Sequence, residues 1–336
     1  MDAAVSVANL RKEFRVKAKR RTFANLWQRK TTQAPSAKAK VFSAVDGITF
    51  QIAPGERVAF VGPNGAGKST TIKMLSGILA PTSGDVSVLG MIPTSERSTL
   101  AYSIAAVFGQ RSQLWYHLPV RDSWQLLGRI YGIPAKIHQQ RLDTLCQKFG
   151  VGALADRPVK QLSLGERMRC ELIGCFLHAP KVLFLDEPTI GLDVEAKGLM
   201  RDLVKDMCTK EGCTLLLTSH DTGDMESVCD RVIIINQGRV VFDGAVAALR
   251  RRYVTQKILA VNTYDRDVNW ESVALPILER AAHSAKFAVD VQTTNLQEAM
   301  TQVLAAAKIV DLVVEDPPME ETIKKIYAAT AMSTGA

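Results

Sequence analysis

The sequence has no apolar run that approaches the ~18–20 residues a helix needs to cross a bilayer. Its first residues, MDAAVSVANLRKEF, lack the basic segment followed by an apolar segment that marks a secretion signal. Internal repeats and low-complexity tracts are also missing. We therefore expect a globular chain without a membrane span, which remains where it is made.

Cysteine gives no sign of a zinc site, because no CxxC pair and no Cys/His spacing typical of zinc is present. Several cysteines lie within apolar segments, where a free thiol behaves as a small hydrophobic side chain. We expect buried free thiols, which fits a reducing cytoplasm. The six residues are Cys146, Cys170, Cys175, Cys208, Cys213 and Cys229.

Acidic residues are absent from residues 15–40, RVKAKRRTFANLWQRKTTQAPSAKAK, which hold nine Lys or Arg. Removing these nine charges from the net +8 of the chain leaves −1 for the remainder. The basic character therefore belongs to this segment and not to the whole fold. A nucleic-acid-binding arm, a contact with a membrane surface and a solvated loop are the three alternatives.

The remaining sequence has the length and composition of a large globular domain followed by a smaller one. The whole chain has 336 residues, of which 47% are hydrophobic and 23% charged. Strand-like and helical segments alternate, which predicts an α/β core with parallel strands over residues 1–250 and a helical subdomain at about 111–175. Beyond it, strand-like runs and two helices predict a small accessory α+β domain over residues 251–336.

The segment GPNGAGKST follows the apolar strand RVAFV and opens a helix, which is the context of a phosphate-binding P-loop. Its glycines let backbone N–H groups close around phosphate oxygens, and the helix N-terminus adds positive charge. Lys68 is predicted to reach the β- and γ-phosphates of ATP, and the Ser69 hydroxyl to bind Mg²⁺. The predicted ATP-binding loop comprises Gly62, Pro63, Asn64, Gly65, Ala66, Gly67, Lys68, Ser69 and Thr70.

The segment KVLFLDEP supplies the second half of this site, because its apolar strand ends in two carboxylates. Ligands of open α/β sheets bind at the carboxyl ends of strands. Asp186 is predicted to hold Mg²⁺ through water, and Glu187 to orient and polarise the attacking water. The alternative is that these carboxylates cap the following helix.

Five motifs in this order resemble those of the ATP-binding cassette (ABC) ATPases: GPNGAGKST, VFGQRSQ, QLSLGERMR, LFLDEP and LTSHD. The resemblance covers residues 1 to about 250 and implies a P-loop NTPase fold with ATP and Mg²⁺ as cofactors. It implies that Gln110 contacts Mg²⁺ and senses the γ-phosphate, and that His220 hydrogen-bonds the γ-phosphate. Phe14 lies where the family places an aromatic ring against adenine, with packing in the core as the alternative.

The signature motif is irregular, because LSLGE stands where the family commonly has LSGGQ. Leu164 and Glu166 replace Gly and Gln, whereas Ser163 and Gly165 are retained. In the family the retained pair faces the γ-phosphate held by a partner subunit, which implies a head-to-tail homodimer with two complete sites and with Asp193 near the interface. We expect the charge of Glu166 to weaken dimer closure and to affect the turnover rate.

The segment VFGQRSQLWYHLPVRDSW resembles the exporter branch related to daunorubicin- and multidrug-resistance ATPases. In that branch the segment after the glutamine loop receives a coupling helix of the membrane subunit. Trp115, Tyr116 and Trp124 are then aromatic anchors, or they pack inside the helical subdomain. The implied function is the ATP-hydrolysing subunit of an ABC exporter, peripheral on the cytoplasmic side of the inner membrane, with separate permease subunits.

Two other functions are alternatives to export. One is an importer ATPase. The other is a non-transport ABC ATPase acting on ribosomes or DNA, although those usually carry two cassettes or a long coiled-coil insertion, and this sequence has neither. The final segment, KIVDLVVEDPPMEETIKKIY, resembles the end of the exporter accessory domain and predicts Asp316 as the cap of the last helix. That domain has a regulatory, dimer-supporting or purely structural role.

Within the basic segment, four apolar residues fall on one helical face flanked by Lys and Arg. This pattern predicts a short amphipathic helix on an anionic membrane surface or on the membrane subunit. A solvated loop is the alternative, and no nucleic acid is expected because no stacking platform accompanies the charge. The four residues are Val16, Phe23, Leu26 and Trp27.

Overall fold

The structure is a computed structural model that describes residues 2–16, 40–109, 112–219, 221–253 and 256–333. These residues form two compact units that divide between Asp243 and Gly244, somewhat before the boundary predicted after residue 250. Within the described ranges, no helix is both long and apolar enough to cross a membrane.

The first unit starts with strands β1 (Val5–Val16), β2 (Lys40–Ile52) and β3 (Arg57–Val61), helix α1 (Lys68–Leu75), strand β4 (Ser83–Val88), helix α2 (Arg97–Leu100) and strand β5 (Ile104–Phe108). Helices α3 (Val120–Ile130), α4 (Ala135–Phe149) and α5 (Leu164–Phe176) follow. It ends with strand β6 (Val182–Asp186), helix α6 (Val194–Glu211), strand β7 (Thr214–Ser219), helix α7 (Thr222–Val228) and strands β8 (Arg231–Asn236) and β9 (Arg239–Ala245).

The central sheet has the strand order β5–β6–β7–β3–β8–β9, and the first five of these strands are parallel. Its inner strands are continuous apolar runs, such as VLFLD in β6 and TLLLTS in β7, and every residue in them is buried. Strands covered on both faces have this composition. The predicted α/β core with parallel strands is confirmed, and the carboxyl ends of β6, β7 and β3 lie side by side.

A separate antiparallel sheet pairs β1 with β2 on one side and with β4 on the other. Val16 is the last residue of β1 and lies opposite Lys40, the first residue of β2. The prediction of a helix is therefore wrong for Val16, because cross-strand pairing extends β1 through it. The rest of the predicted amphipathic helix, and its proposed membrane contact, lie in residues 17–39, outside the described residues.

The helices between β5 and β6 bury one of the three predicted aromatic anchors. Trp124 of α3 is fully buried, and its Nε1–H donates to the carbonyl oxygen of Cys170 in α5 at 3.0 Å. Trp115 and Tyr116 are exposed. Trp124 therefore packs inside the helical subdomain, which was its alternative role, and only the other two are accessible to a partner.

The cysteines are free thiols, five of them buried and Cys146 half-buried. Burial is the main cause that raises the pKa of Cys146 to about 11 and that of Cys170 to about 12. Thiols with such pKa values stay protonated and unreactive at neutral pH. The predicted role of these residues in packing is thus confirmed.

The second unit contains helix α8 (Val246–Tyr253), strands β10 (Gln256–Thr263), β11 (Ile277–Ala281) and β12 (Ser284–Asp290), helix α9 (Leu296–Ala306), strand β13 (Ile309–Glu315) and helix α10 (Met319–Ser333). Its antiparallel sheet has the order β11–β12–β10–β13. The predicted cap at Asp316 is wrong, because α10 begins at Met319 and the Asp316 carboxylate binds Lys257 at 2.5 Å. The ion pair ties the end of β13 to β10.

Candidate nucleotide-binding site

The predicted P-loop lies between β3 and α1. It requires glycine at the two positions where its backbone comes closest to neighbouring backbone atoms. Gly67 precedes α1 and has φ 106°, a left-handed backbone conformation that residues other than glycine rarely adopt. A Cβ atom at Gly67 would lie 2.4 Å from the carbonyl oxygen of Ala44, and one at Gly62 would lie 2.5 Å from that of Ile235. The backbone can therefore wrap this tightly only because these side chains are absent.

Lys68 is the first residue of α1 and is 6% exposed. Its Nζ donates to the carbonyl oxygen of Gly62 at 2.7 Å, and lies 3.4 Å from that of Pro63. The same ammonium is 3.7 Å from Oε1 of Glu187. The loop carbonyls therefore hold the buried ammonium in a position where it can bind an anion that enters the loop.

Asp186 and Glu187 follow β6 and reach the first turn of α1. The Asp186 Oδ1 accepts hydrogen bonds from Ser69 Oγ at 3.0 Å and from Thr218 Oγ1 at 2.6 Å. Glu187 adopts φ 54°, and its N–H donates to the carbonyl oxygen of Thr218 at 3.0 Å. Neither carboxylate caps the following helix α6, because its cap is Asp193, so that alternative is wrong.

These oxygen donors fit a magnesium site that is completed by a ligand. Ser69 Oγ and Asp186 Oδ1 are hard donors, and Mg²⁺ is typically held by one or two carboxylates together with phosphate oxygens and water. Among the described residues, no group of three or more His, Cys, Asp or Glu could hold a metal ion alone. The donors therefore suit a cation that arrives with a polyphosphate.

A cavity of about 590 Å³ opens above the P-loop. Phe14 and Phe42 contribute an aromatic wall, and Glu187 and Ile190 line the cavity as well. The two phenylalanines are directly opposite each other on β1 and β2, and Phe14 is 39% exposed, which excludes core packing for it. An aromatic wall beside a phosphate-binding loop has the layout of a nucleotide pocket, with a surface for the base and donors for the phosphates.

Sequence reasoning missed Phe42 and Thr218. Phe42 follows the basic segment, and a sequence gives no register across such an insertion. Thr218 lies inside the apolar run TLLLTS, where it resembles an ordinary strand residue. Gln110 and His220 lie outside the described residues, so their predicted roles rest on their motifs.

The signature motif begins helix α5 through a capping box. The backbone N–H of Ser163 donates to Glu166 Oε2 at 2.8 Å, and Ser163 Oγ accepts from the backbone N–H of Glu166 at 3.2 Å. The bond from the Ser163 N–H lowers the pKa of Glu166, to which Arg157, with Nη1 3.5 Å away, also contributes. The charge of Glu166 is thus directed toward the helix cap and Arg157.

The signature motif and the loop that ends at Asp193 line a cavity of their own, of about 290 Å³. Asp193 accepts from the backbone N–H of Ala196 at 2.8 Å and so caps α6. Leu164, which stands where the family commonly has Gly, lies beside Gly191. A Cβ atom added to Gly191 would be 3.0 Å from Leu164 Cδ2. Among the described residues, this lining shares none with that of the P-loop cavity, so the two motifs line different cavities of the chain.

Comparison with known proteins agrees with this geometry. A family model described as ABC transporter matches residues 45–190. The ABC transporter ATP-binding protein NatA of Bacillus subtilis is 31% identical over 212 residues, which cover 63% of this chain and 86% of NatA. The Nod factor export ATP-binding protein I of Paraburkholderia xenovorans is 32% identical over 257 residues, which cover 75% of this chain and 84% of that protein.

A solved structure gives the same result for the fold. The structure of cbiO1 from Clostridium perfringens, part of the ABC transporter complex cbiONQ, aligns with a TM-score of 0.60 and 27% identity. The alignment covers 75% of this chain and 94% of cbiO1. The likeness therefore includes nearly the whole of cbiO1.

Proposed function

Because this chain belongs to the ABC transporter family as an ATPase subunit, we propose that it drives export through separate membrane-spanning permease subunits. The direction of transport is supported by the similarity to a Nod factor export protein and by the exporter-like segment that contains Trp115 and Tyr116. The observation that carries the ATPase site is the contact of both carboxylates, Asp186 and Glu187, with successive P-loop residues, Ser69 and Lys68.

In the proposed reaction the P-loop N–H groups and Lys68 bind the β- and γ-phosphates of ATP. Ser69 and Asp186 would hold Mg²⁺, which would neutralise charge on the phosphate oxygens. Glu187 orients the attacking water and accepts its proton, while Phe14 and Phe42 bind the adenine. Gln110 and His220 retain the roles implied by their motifs, at Mg²⁺ and the γ-phosphate.

The signature motif requires a second copy of the chain in this proposal. Ser163 and Gly165 lie in a cavity distinct from the P-loop cavity. A head-to-tail dimer with two-fold symmetry places each signature against the phosphates bound by its partner, so that two identical sites form. Asp193 lies in the same cavity as the signature, as expected for a residue near that interface.

A Glu187→Gln variant tests the ATPase and dimer proposal. Glutamine keeps the shape of the side chain but is not a base, so ATP remains bound and is not hydrolysed. We expect a stable ATP-bound dimer in size-exclusion chromatography, with wild-type protein dimerising only transiently. A variant that remains monomeric at saturating ATP and Mg²⁺ would contradict the proposal.

The transporter assignment is tested by purifying the tagged chain from detergent-solubilised membranes of its native cell and identifying its partners by mass spectrometry. We expect polytopic membrane proteins in stoichiometric amount. Replacing Trp115 and Tyr116 with Ala should remove them, whereas Ala at Tyr102, which is also exposed, should not. Recovery of ribosomal proteins or nucleic acid instead would overturn the assignment.

A further inference from the structure

Thr218 carries a fully buried hydroxyl near the carboxyl end of the largely apolar strand β7. It lies in β7 with Asp186 of β6 directly opposite on one side and Phe60 of β3 opposite on the other. Valine, which has nearly the same shape and no polar side-chain atom, would pack equally well at this position. A buried hydroxyl at this position therefore needs hydrogen-bond partners, and its partners indicate its role.

The Thr218 side chain contacts both residues of the acidic pair. Its O–H donates to Asp186 Oδ1 at 2.6 Å, and its Oγ1 accepts from the backbone N–H of Glu187 at 3.1 Å. The carbonyl oxygen of Thr218 accepts from the same N–H at 3.0 Å. One residue thus fixes the carboxylate of Asp186 and the backbone of Glu187.

The backbone of Glu187 explains why this support matters. In an extended strand, successive side chains point to opposite faces of the sheet, so two adjacent carboxylates could not both reach one loop. Glu187 instead adopts φ 54°, which is uncommon for a residue other than glycine and persists only where the surroundings enforce it. This turn brings Glu187 within 3.7 Å of Lys68 while Asp186 contacts Ser69.

We propose that Thr218 is a positioning residue for the reaction. Its hydroxyl holds Asp186 in the rotamer that meets Ser69, and it helps to hold Glu187 in the left-handed conformation that aims its carboxylate at the phosphates. The inference rests on the proposed function, since it assumes that Asp186 serves Mg²⁺ and Glu187 serves the attacking water. Thr218 itself contacts the two carboxylate residues and is not among the described residues that line the cavity above the P-loop.

The test compares Thr218→Val with Thr218→Ser and with a control in the same strand, Thr214→Val. Thr214 is also buried, and its hydroxyl accepts from the backbone N–H of Gly55 at 2.9 Å, away from the acidic pair. Measurements are the melting temperature, kcat and KM for ATP, and the dissociation constant of a fluorescent ATP analogue with and without Mg²⁺. The control separates loss of a buried hydroxyl from loss of this particular one.

We expect Thr218→Val to lower kcat by about 10- to 100-fold, as for partners that orient metal ligands. It should also raise the Mg²⁺ concentration needed for tight nucleotide binding, while binding without Mg²⁺ stays within about 2-fold of wild type. Thr218→Ser should recover most of both properties, and Thr214→Val should match wild type in both. Equal kcat and equal Mg²⁺ dependence in Thr218→Val and Thr214→Val would overturn the inference.

If Thr218→Val does not fold, Thr218→Ala removes the same hydroxyl without a branched replacement and decides the question by the same measurements. The wild-type protein separates this inference from the proposed function. Wild-type protein that does not hydrolyse Mg²⁺–ATP would overturn the function itself. Active wild-type protein with an equally active Thr218→Ala would overturn only the role of Thr218.

Discussion

At the scale of single residues, the aromatic wall of the cavity gives a first prediction. Phe14→Ala and Phe42→Ala should each raise the KM for ATP by about 2- to 10-fold, because an aromatic contact contributes about 0.5–1.5 kcal/mol. The kcat should change little, since an aromatic wall would bind the base and not the phosphates that react. Steady-state ATPase measurements over a range of ATP concentrations test this.

The control for the two phenylalanines is Tyr102→Ala, which removes an aromatic ring that is 58% exposed and does not line the cavity. It should leave the KM unchanged. A Phe14→Ala, Phe42→Ala double variant with the wild-type KM would show that the adenine binds elsewhere.

The residues of this site differ in how far a sequence reveals them. The P-loop and the pair Asp186 and Glu187 were predictable, because each motif is contiguous and its residue types are dictated by phosphate and metal chemistry. Phe42 and Thr218 belong to the site because of their neighbours on adjacent strands. Phe42 lies opposite Phe14, and Thr218 lies opposite Asp186. Such pairs depend on strand register and strand order, which no local pattern states.

At the scale of secondary-structure elements, a buried carboxylate connects helix α5 to the segment after the glutamine loop. Glu171 is 3% exposed and accepts from the backbone N–H of Gln113 at 3.0 and 3.1 Å and from the Ser112 hydroxyl. Burial raises the pKa of Glu171, although these hydrogen bonds oppose the shift. The helix that begins with the signature motif is thereby tied to residues 112–113.

This raised pKa predicts a pH dependence of stability. Between the ordinary glutamate pKa, about 4.3, and the higher pKa of Glu171, the folded protein retains a proton that the unfolded chain releases. The free energy of unfolding therefore falls as the pH rises through this window. Glu171→Gln cannot ionise, so its stability relative to wild type should increase from acidic to neutral pH.

Urea unfolding of both proteins at pH values from about 4.5 to about 7 measures this difference. The control is Glu13→Gln, since Glu13 is exposed in β1 and its carboxylate remains in water after folding. Glu13→Gln should show no such trend relative to wild type. A stability difference between Glu171→Gln and wild type that is independent of pH would contradict the prediction.

A helix or strand was predictable where its own sequence pattern determines its structure. It was not predictable where contacts with residues distant in sequence determine it. The strands β6 and β7 are short, largely apolar runs, and this length favours a buried strand over a helix. By contrast, Val16 was placed in a helix by its local pattern, whereas pairing with Lys40 puts it in a strand. Asp316 has the composition of a helix cap, yet the ammonium of Lys257 binds its carboxylate. In both cases a tertiary contact outweighs a local preference.

At the scale of the whole molecule, the sheet order explains which motifs meet in one chain. Strands β6, β7 and β3 are neighbours, so the P-loop, the acidic pair and Thr218 converge although they are far apart in sequence. The signature motif begins α5 and lines another cavity. The P-loop and the signature motif of one chain thus lie in separate cavities. In the proposed dimer, the P-loop of each chain meets the signature motif of the other chain.

Complementation between two inactive variants tests this arrangement. Lys68→Ala removes the ammonium from the P-loop, and Ser163→Asp places a negative charge against the partner's phosphate while it preserves a good helix cap. Both variants also carry Glu187→Gln, because a dimer that hydrolyses ATP is expected to be only transient. In a homodimer of either variant both sites would be damaged. A heterodimer has one site with both defects and one site that is intact, because the intact P-loop and the intact signature belong to different chains.

Heterodimers purified through two different affinity tags should therefore occlude one nucleotide per dimer, whereas either homodimer should occlude none. In an untagged equal mixture with random exchange, half of the dimers are mixed, so roughly a quarter of the sites of the Glu187→Gln protein should be restored. A mixture of each variant with the Glu187→Gln protein provides the reference for subunit exchange. Heterodimers that occlude no nucleotide, although their two chains co-purify, would show that the signature acts within its own chain or not at all.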